Sequence, residues 1–219
     1  MGASTVKLSL ADLRREYTMA GLREQDLAVD PFRQFQKWLE EAISGGVVEP
    51  NAMVLATASK SGKLSSRALL LKEVSNGSFI FFTNYQSRKA RELEQNPHAA
   101  MTFPWLELER QVCVTGTITK VSREKSEAYF RLRPRGSRLG THVSSQSSVI
   151  ASRDYLERKL NEVDARYPGD DIPMPDYWGG YALTPAEIEF WQGRPNRLHD
   201  RLRYVRQADG SWKIERLSP

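Results

Sequence analysis

The residues with the clearest capacity for chemistry lie near the C-terminus, where Arg197, His199 and Arg201 occupy alternate positions. A Pro-Asn pair directly before them predicts a turn, and the alternation predicts a strand. Residues two apart share one face of a strand, so these three side chains would point together. Three cationic or potentially cationic groups repel one another unless an anion or an electron-rich ring lies between them. The alternative is an exposed polar face whose charge is balanced by Asp200 and Glu189.

Two more cations, Arg67 and Lys72, lie at the ends of the apolar run Ala68–Leu71. Because they are five residues apart, they would point to opposite faces of a regular strand and could bind two different phosphates. Alternatively, these charges are only the solvated ends of an apolar strand.

A third group combines two hydroxyls with a guanidinium. Tyr129 and Arg133 are four residues apart on a predicted helix and share a face, and Ser137 follows just past the helix end. Together they could hold one phosphate, although Tyr–Arg pairs are common on protein surfaces.

In addition, Ser87-Arg88-Lys89 opens a helix directly after a strand, and helix N-termini favour anions.

The elements that must position these residues are predicted from periodicity and turn signals. Asp30-Pro31 begins a helix that Gly45-Gly46 ends, and further helices are predicted over residues 87–96, 122–132 and 152–167. Asn76-Gly77 predicts a hairpin. Strands are predicted over residues 52–59, 65–74, 78–83, 99–104, 110–121, 178–183, 188–192, 197–206 and 211–217.

Short strands with singly inserted helices favour a mainly β (α+β) fold, a small barrel with helices packed on it. We expect a single domain over residues 31–219, preceded by a polar, mobile arm over residues 1–30.

The amino-acid composition limits the class of protein and the kind of ligand that fit this sequence. The 219 residues carry 32 Lys and Arg against 27 Asp and Glu, and 40% are hydrophobic, so the chain can fold without disulfides or a structural metal. The basic residues are scattered among acids, as in residues 88–94, a pattern typical of a solvated amphipathic helix. Arginine supplies 22 of the 32 cations, which favours small phosphorylated ligands over nucleic acid.

No apolar run is long enough for a membrane span or a secretory signal. The single cysteine, Cys113, is interpreted as a small buried strand residue, so we expect a cytoplasmic protein. The sequence contains no G-x-G-x-x-G, P-loop or G-x-S-x-G motif, and its three histidines lie far apart. We therefore expect neither a metal site nor acyl-transfer chemistry.

Five separated blocks resemble the pyridoxine (pyridoxamine) 5′-phosphate oxidase family in order and spacing. They are Glu189-Phe-Trp-Gln-x4-Arg197-Leu-His199-Asp-Arg201, Arg67…Lys72, Thr83-Asn84-x-x-Ser87-Arg88-Lys89, Glu109-Arg110-Gln111-Val112 and Ser144-x-Gln146-Ser147-Ser148. The resemblance covers nearly the whole chain, and the block at residues 189–201 is the family's signature.

The resemblance implies an FMN-binding split β-barrel that works as a homodimer, with two flavins at the subunit interface. It also implies oxidation of pyridoxamine 5′-phosphate or pyridoxine 5′-phosphate to pyridoxal 5′-phosphate, with O2 reduced to hydrogen peroxide and ammonia released from the amine. Neither nucleic acid nor a membrane is an expected partner.

By matching position, the resemblance implies a role for particular residues. FMN would be bound by Arg67, Ala68, Leu69, Leu70, Leu71, Lys72, Phe82, Thr83, Arg88, Lys89, Gln111, Gln146, Ser147, Trp191 and Arg201. The substrate phosphate would be held by Lys72, Tyr129, Arg133 and Ser137. Arg197, Leu198 and His199 would contact the substrate, with Arg197 and His199 as the catalytic pair that faces its pyridine ring. A lid over the site would be formed by Arg14, Arg15, Glu16 and Tyr17.

The chain departs from the family pattern at two positions. Phe82 replaces an expected tyrosine, which leaves FMN binding intact only if the contact there is made by the backbone. Glu24 follows Arg23 where some relatives carry a second basic residue, which argues against a secondary product site near the arm.

Two rival functions fit much of the same sequence. A split-barrel oxidase acting on another ring system, as in phenazine biosynthesis, would share the FMN residues but not the substrate set. A carrier or sensor that binds FMN or pyridoxal phosphate without turnover would release no hydrogen peroxide.

Overall fold

The computed structural model describes residues 16–219, which form nine strands in one antiparallel sheet. The strands are β1 (Ala52–Ala58), β2 (Leu64–Leu70), β3 (Glu73–Ser75), β4 (Ser78–Asn84), β5 (His98–Trp105), β6 (Arg110–Lys120), β7 (Trp178–Gln192), β8 (Asp200–Arg206) and β9 (Trp212–Arg216). Their order is β2-β1-β5-β6-β7-β4-β3, with β8 paired to β7 and β9 paired to β8. The curled sheet is of the split-barrel type, which confirms the predicted mainly β (α+β) fold.

The strand β7 connects the two parts of the sheet. Its first part pairs with β4 and its last part with β8. The sequence predicts two strands here, over residues 178–183 and 188–192. The structure joins them through an irregularity in the pairing with β6, between Thr115 and Gly116. A Cβ atom on Gly116 would lie 2.1 Å from the carbonyl oxygen of Thr184, so this close approach requires glycine.

The predicted strand over residues 65–74 is divided in the structure. β2 ends at Leu70, and Lys72 lies in the connection to β3, where its backbone N–H donates to the carbonyl of Ile80. Arg67 and Lys72 are therefore not at the two ends of one regular strand. The Asn76-Gly77 hairpin between β3 and β4 is confirmed, with positive φ at both residues.

Residues 16–219 also form five helices: α1 (Pro31–Ser44), α2 (Arg88–Gln95), α3 (Arg123–Leu132), α4 (Arg135–Val143) and α5 (Arg153–Arg166). The side chains of Asp30, Ser87 and Ser122 cap the helices that follow them by accepting a first-turn amide. The sequence does not predict α4, because Pro134 and the glycines after it are typical of a loop. Ser137 consequently lies on α4. Within residues 16–219, no helix is both long and apolar enough to cross a membrane.

The C-terminal hairpin begins later than predicted, because β8 starts only at Asp200. Arg197 closes a 3-10 turn, Pro195–Arg197, in which Asn196 and Arg197 have φ of 56° and 60°. Only Arg201 of the three cationic residues lies on β8. The expectation that Arg197, His199 and Arg201 share one strand face is therefore wrong, since the turn extends further than the Pro-Asn signal indicates.

Two hydrophobic clusters hold these elements. The larger one lies between α1 and the sheet, where Phe35 and Trp38 pack edge-on against aromatic rings of the strands. The smaller one includes Phe130 of α3, Leu139 of α4 and Trp178 of β7. The smaller cluster therefore sets the position of the two helices that carry the expected phosphate ligands.

The described part of the arm lies against the end of the sheet. Leu22 is buried, and its backbone N–H donates to Asp200. Arg14 and Arg15 lie outside the described residues. The division into a mobile arm over residues 1–30 and a single domain over residues 31–219 stays a prediction.

Candidate active site

A cavity of about 600 Å³ lies between β4, the connection after β2, and the helices α3 and α4. Lys72, Tyr129, Arg133 and Ser137 all line it. The structure thus brings together the four residues that were expected to hold the substrate phosphate, although they come from four different elements or connections. We call this space the first cavity.

Stacked aromatic rings form one wall of the first cavity. The Phe82 ring lies 4.1 Å from that of Tyr129 and 5.5 Å from that of Trp178, measured between centroids. The Arg133 guanidinium lies 4.7 Å from the Trp178 ring and donates to the hydroxyl of Thr141 at 2.7 Å. The sequence analysis missed Trp178 as a site residue. The sequence feature that could have indicated Trp178 is its position as an aromatic residue at the start of a predicted strand.

Arg133 is the main positive charge of this cavity. Burial lowers the pKa of its guanidinium, yet the group stays charged because an arginine does not deprotonate in a protein. Within residues 16–219, no Asp or Glu forms a salt bridge with it. A half-buried cation held on an aromatic ring is suited to binding an anionic ligand group.

A second cavity, of about 400 Å³, adjoins the first and shares Leu69 and Gln146 with it. Its cations are Arg67, Arg88 and Lys89. The remaining lining residues are Ser65, Ser66, Ala68 and Ser147. Arg67 and Lys72 therefore line different cavities, and their binding of two phosphates stays a prediction.

Lys89 is a buried cation that contacts only neutral oxygen atoms among the described residues. Its Nζ donates to Thr83 Oγ1 at 3.2 Å, to Gln146 Oε1 at 3.3 Å and to Ser87 Oγ at 3.4 Å. Burial, together with the nearby charge of Arg67, lowers the pKa of Lys89 to about 8. An anion beside Lys89 would offset this cost and raise the pKa of Lys89 again.

Glu92 organises the second cavity, and the sequence analysis missed it. Its carboxylate accepts from Thr57 at 2.5 Å, from Ser65 at 2.6 Å and from Arg88 at 2.8 Å, and it lies 3.5 Å from Arg67. Burial alone would raise the pKa of Glu92, but these hydrogen bonds outweigh it and lower the pKa to about 2. The pattern over residues 88–94 predicts a solvated helix, which is wrong for Glu92 and Lys89 because α2 packs them against β1 and β4.

A second set of expected site residues lies at the other end of the sheet. Gln111, Trp191 and Arg201 are direct neighbours across β6, β7 and β8, so they form one row on one face. Glu189 accepts two hydrogen bonds from Arg201, at 2.8 and 3.0 Å, which is the charge balance named as the alternative above. Cys113 is a half-buried residue of β6 beside this row.

His199 lies next to that row, between two aromatic rings. Its ring centroid is 4.6 Å from Trp191 and 5.4 Å from Tyr17. The Nδ1 atom accepts from the backbone N–H of Arg194 at 3.1 Å. Burial, and then the charge of Arg197, lower the pKa of His199. A neutral ring with Nδ1 as acceptor carries its proton on Nε2, which leaves an N–H donor for a ligand.

The two sets of residues lie on separate parts of this chain. Trp178 lines the first cavity and Trp191 belongs to the second set, and thirteen residues of β7 span roughly 40 Å along the strand. None of Gln111, Trp191, Arg197, His199 and Arg201 lines either cavity.

Of the other residues expected at the site, Leu71 lies in the hydrophobic core, and Glu16 and Leu198 are exposed.

The second cavity fits the phosphate end of FMN. It offers a buried lysine that lacks a carboxylate among the described residues, two arginines held in place by Glu92, and the hydroxyl of Ser147, which itself accepts from the Arg88 amide. A phosphate ester would meet charge-assisted donors from several directions there.

A curled antiparallel sheet of this order, with two adjoining cation-lined cavities, defines a protein of the split-barrel class. Residues 39–167 match the family model described as pyridoxamine 5′-phosphate oxidase, and residues 178–219 match the pyridoxine 5′-phosphate oxidase C-terminal dimerisation region. A pyridoxine/pyridoxamine 5′-phosphate oxidase of Bacteroides thetaiotaomicron is 53% identical over 96% of this chain and 99% of its own length. The chain belongs to the pyridoxine/pyridoxamine 5′-phosphate oxidase family.

Solved structures agree with this assignment. PhzG from Burkholderia lata 383, in complex with tetrahydrophenazine-1-carboxylic acid, is 31% identical with a TM-score of 0.86, covering 92% of this chain and 99% of its own. A pyridoxamine 5′-phosphate oxidase-related, FMN binding protein from Nostoc punctiforme PCC 73102 has the same fold, at 18% identity and a TM-score of 0.71, with 88% and 100% coverage. The chain is thus an oxidoreductase of an FMN-binding family, and its dimerisation region supports the expected homodimer.

Proposed function

We propose that this protein oxidises pyridoxamine 5′-phosphate and pyridoxine 5′-phosphate to pyridoxal 5′-phosphate, with FMN as cofactor and O2 reduced to hydrogen peroxide. The observation that carries the proposal is the pair of adjoining cavities, each lined by cationic side chains. One cavity presents Lys72 and Arg133, and the other presents Arg67, Arg88 and Lys89. The two cavities share Leu69 and Gln146, so phosphorylated molecules bound in them would be neighbours.

In the first cavity, the chain binds the substrate phosphate. Lys72 and Arg133 supply charge, and Tyr129 and Ser137 supply hydroxyl donors. Arg133 is held by Trp178 and Thr141, so its guanidinium is already oriented before a ligand arrives. An anchor at the phosphate orients the substrate's reacting carbon, which is the usual source of large gains from positioning.

In the second cavity, Arg67, Arg88, Lys89 and Ser147 would hold the FMN phosphate. When bound, FMN supplies the two-electron chemistry, taking up the electrons of the substrate and passing them to O2. The protein's part is to orient the two ligands and to exclude competing reactions. Buried Glu92 contributes by fixing the directions of Arg67 and Arg88.

Arg197 and His199 would reach the substrate ring from a second copy of the chain. They lie within residues 178–219, the matched dimerisation region, and far along β7 from the first cavity of their own chain. In a two-fold dimer, each copy can add its own C-terminal turn to the cavities of the other. On this proposal, each active site is complete only at the interface between subunits.

The role proposed for Arg197 and His199 is orientation of the substrate ring. The Nε2–H of neutral His199 donates a hydrogen bond, and Arg197 adds a positive charge beside it. We expect Arg197→Ala to lower kcat/KM for pyridoxamine 5′-phosphate by at least about tenfold, the cost of one charge-assisted hydrogen bond. Steady-state assays of peroxide release measure this. An Arg197→Ala enzyme with full kcat/KM would contradict the role.

The whole proposal is tested by absorbance. The purified protein should show a flavin band at about 450 nm that bleaches on anaerobic addition of pyridoxamine 5′-phosphate and returns with air. A yellow protein that does not bleach would favour another ring substrate or a binding role. A colourless protein that cannot be reconstituted with FMN would overturn the proposal.

A further inference from the structure

Glu109 is a buried carboxylate for which the proposed function has no role so far. Its side chain is 3% exposed, and it directly follows the 3-10 turn Leu106–Leu108. Its φ of 54° lies in the left-handed region that favours glycine. This conformation costs free energy in a non-glycine residue and persists only where the surrounding contacts hold it.

The carboxylate of Glu109 holds the described start of the arm. Its Oε2 atom accepts from the backbone N–H of Thr18 at 2.9 Å and of Met19 at 3.1 Å. Its backbone carbonyl accepts from the N–H of Gly193, at 2.7 Å, in the turn after β7. Through these hydrogen bonds, Glu109 ties this short segment to that turn.

Tyr17 directly precedes the two anchored amides. Its ring packs edge-on against Trp191 at 5.7 Å and against His199 at 5.4 Å. A Cβ atom on Gly193 would lie 2.7 Å from Cδ1 of Tyr17, so the turn leaves room for the ring only because residue 193 is glycine. The Tyr17 ring therefore covers one side of His199, and its place depends on the backbone beside it.

We propose that Glu109 is a positioning residue for substrate binding. It fixes the backbone at Thr18 and Met19, so that Tyr17 supports His199 in the orientation that presents Nε2–H to the substrate ring. Glu109 acts through Tyr17 and does not touch the substrate. This inference rests on the proposed function, in which His199 contacts the substrate.

The decisive variant of the holoenzyme is Glu109→Gly. Glycine suits the φ of 54° and removes the carboxylate, so the backbone strain falls while the anchor is lost. We expect KM for pyridoxamine 5′-phosphate to rise about tenfold with kcat within about twofold, because binding is lost rather than the chemical step. Amide hydrogen exchange over residues 17–22 should become at least about tenfold faster, with Tm unchanged or raised.

Two controls separate anchoring from a general loss of structure. Glu109→Gln keeps an acceptor oxygen and should restore most of the wild-type KM. Glu107→Ala removes an exposed carboxylate from the same turn and should leave both KM and exchange unchanged.

Unchanged exchange over residues 17–22 in Glu109→Gly, or faster exchange with an unchanged KM, would overturn the proposal. A lowered Tm with faster exchange throughout the sheet would overturn it as well, since Glu109 would then be merely structural. A failure of the proposed function is distinguishable, because the unaltered holoenzyme would then not oxidise pyridoxamine 5′-phosphate at all. In that event the exchange experiment still tests the anchor on its own.

Discussion

Replacement of Arg133 by alanine is expected to lower kcat/KM for pyridoxamine 5′-phosphate by about 100- to 1,000-fold. Removing one partner of a desolvated ion pair costs about 3–5 kcal/mol, because the other charge stays buried without compensation. Arg133 is the cation that the structure holds most firmly in the first cavity, on the Trp178 ring and Thr141. Lys72 remains in the variant, so binding of the phosphate should be weakened rather than abolished. Initial-rate measurements over a range of substrate concentrations test this.

The matched control is Arg131→Ala, two residues earlier on α3. Arg131 is exposed, and its contact with Glu127 is a weak one at 4.0 Å. This variant should keep kcat/KM within about twofold, as surface ion pairs contribute little. Equal losses in the two variants would indicate a general effect of positive charge and would contradict a specific phosphate ligand at Arg133.

The Arg133→Ala variant also tests whether the active site is shared between subunits. If Arg133 and Arg197 serve one site from different chains, co-refolded Arg133→Ala and Arg197→Ala chains should form mixed dimers with one intact site. Random pairing would then restore about a quarter of the wild-type activity. No recovery, despite mixed dimers shown by tagged chains, would place both arginines in one subunit's site.

The second large effect is expected for Lys89→Met, which should act in opposite directions on two properties. The affinity for FMN should fall about 100-fold, because a buried charge-assisted contact with the phosphate is lost. The cofactor-free protein should become more stable, by on the order of 2 kcal/mol, because it no longer buries an uncompensated cation. FMN titration by flavin fluorescence and urea unfolding of the cofactor-free protein measure the two properties separately.

The stability effect has a defined pH dependence. In the folded cofactor-free protein Lys89 has a pKa of about 8, below the 10.5 of the ordinary lysine side chain, so the unfolded chain binds more protons between these values. The wild-type protein should therefore gain stability relative to Lys89→Met as pH rises from about 8 to about 10.5, and the full penalty should be present below pH 8. The exposed Lys63 offers the control, Lys63→Met, which should change neither the affinity for FMN nor the stability of the cofactor-free protein. A stability difference between wild type and Lys89→Met that is constant over this pH range would contradict a buried, uncompensated Lys89.

Much of the secondary structure could be predicted because its signals are local. Asp30-Pro31 begins α1 and Asn76-Gly77 forms the β3–β4 hairpin, since capping and turn preferences depend on a few adjacent residues. Tyr129 lies on α3 as predicted, because helical periodicity depends on neighbouring turns. Arg133 lies just past the end of α3 with an extended backbone, so the expected shared helix face is wrong. The family blocks were likewise visible without coordinates, because they are patterns of residue type and spacing.

Local sequence signals gave wrong predictions where contacts between segments far apart in sequence determine the secondary structure. Pro185 lies inside β7 because the pairing with β6 is irregular at Gly116 and accommodates it. The turn before β8 extends to Arg197, which moves Arg197 and His199 off the strand that their spacing predicts. α4 forms over two glycines because Leu139 and Val143 are buried in the cluster with Phe130 and Trp178.

The sequence by itself determined the family, the mainly β fold class and the residue types that could hold two phosphates. Only the tertiary structure decided which cations lie together, that Lys89 and Glu92 are buried, and that Glu109 anchors the segment beside Tyr17. The physical reason is that burial and charge pairing depend on chain segments far apart in sequence. Glu109 and Thr18 are 91 residues apart, and no local pattern reports a contact of that separation.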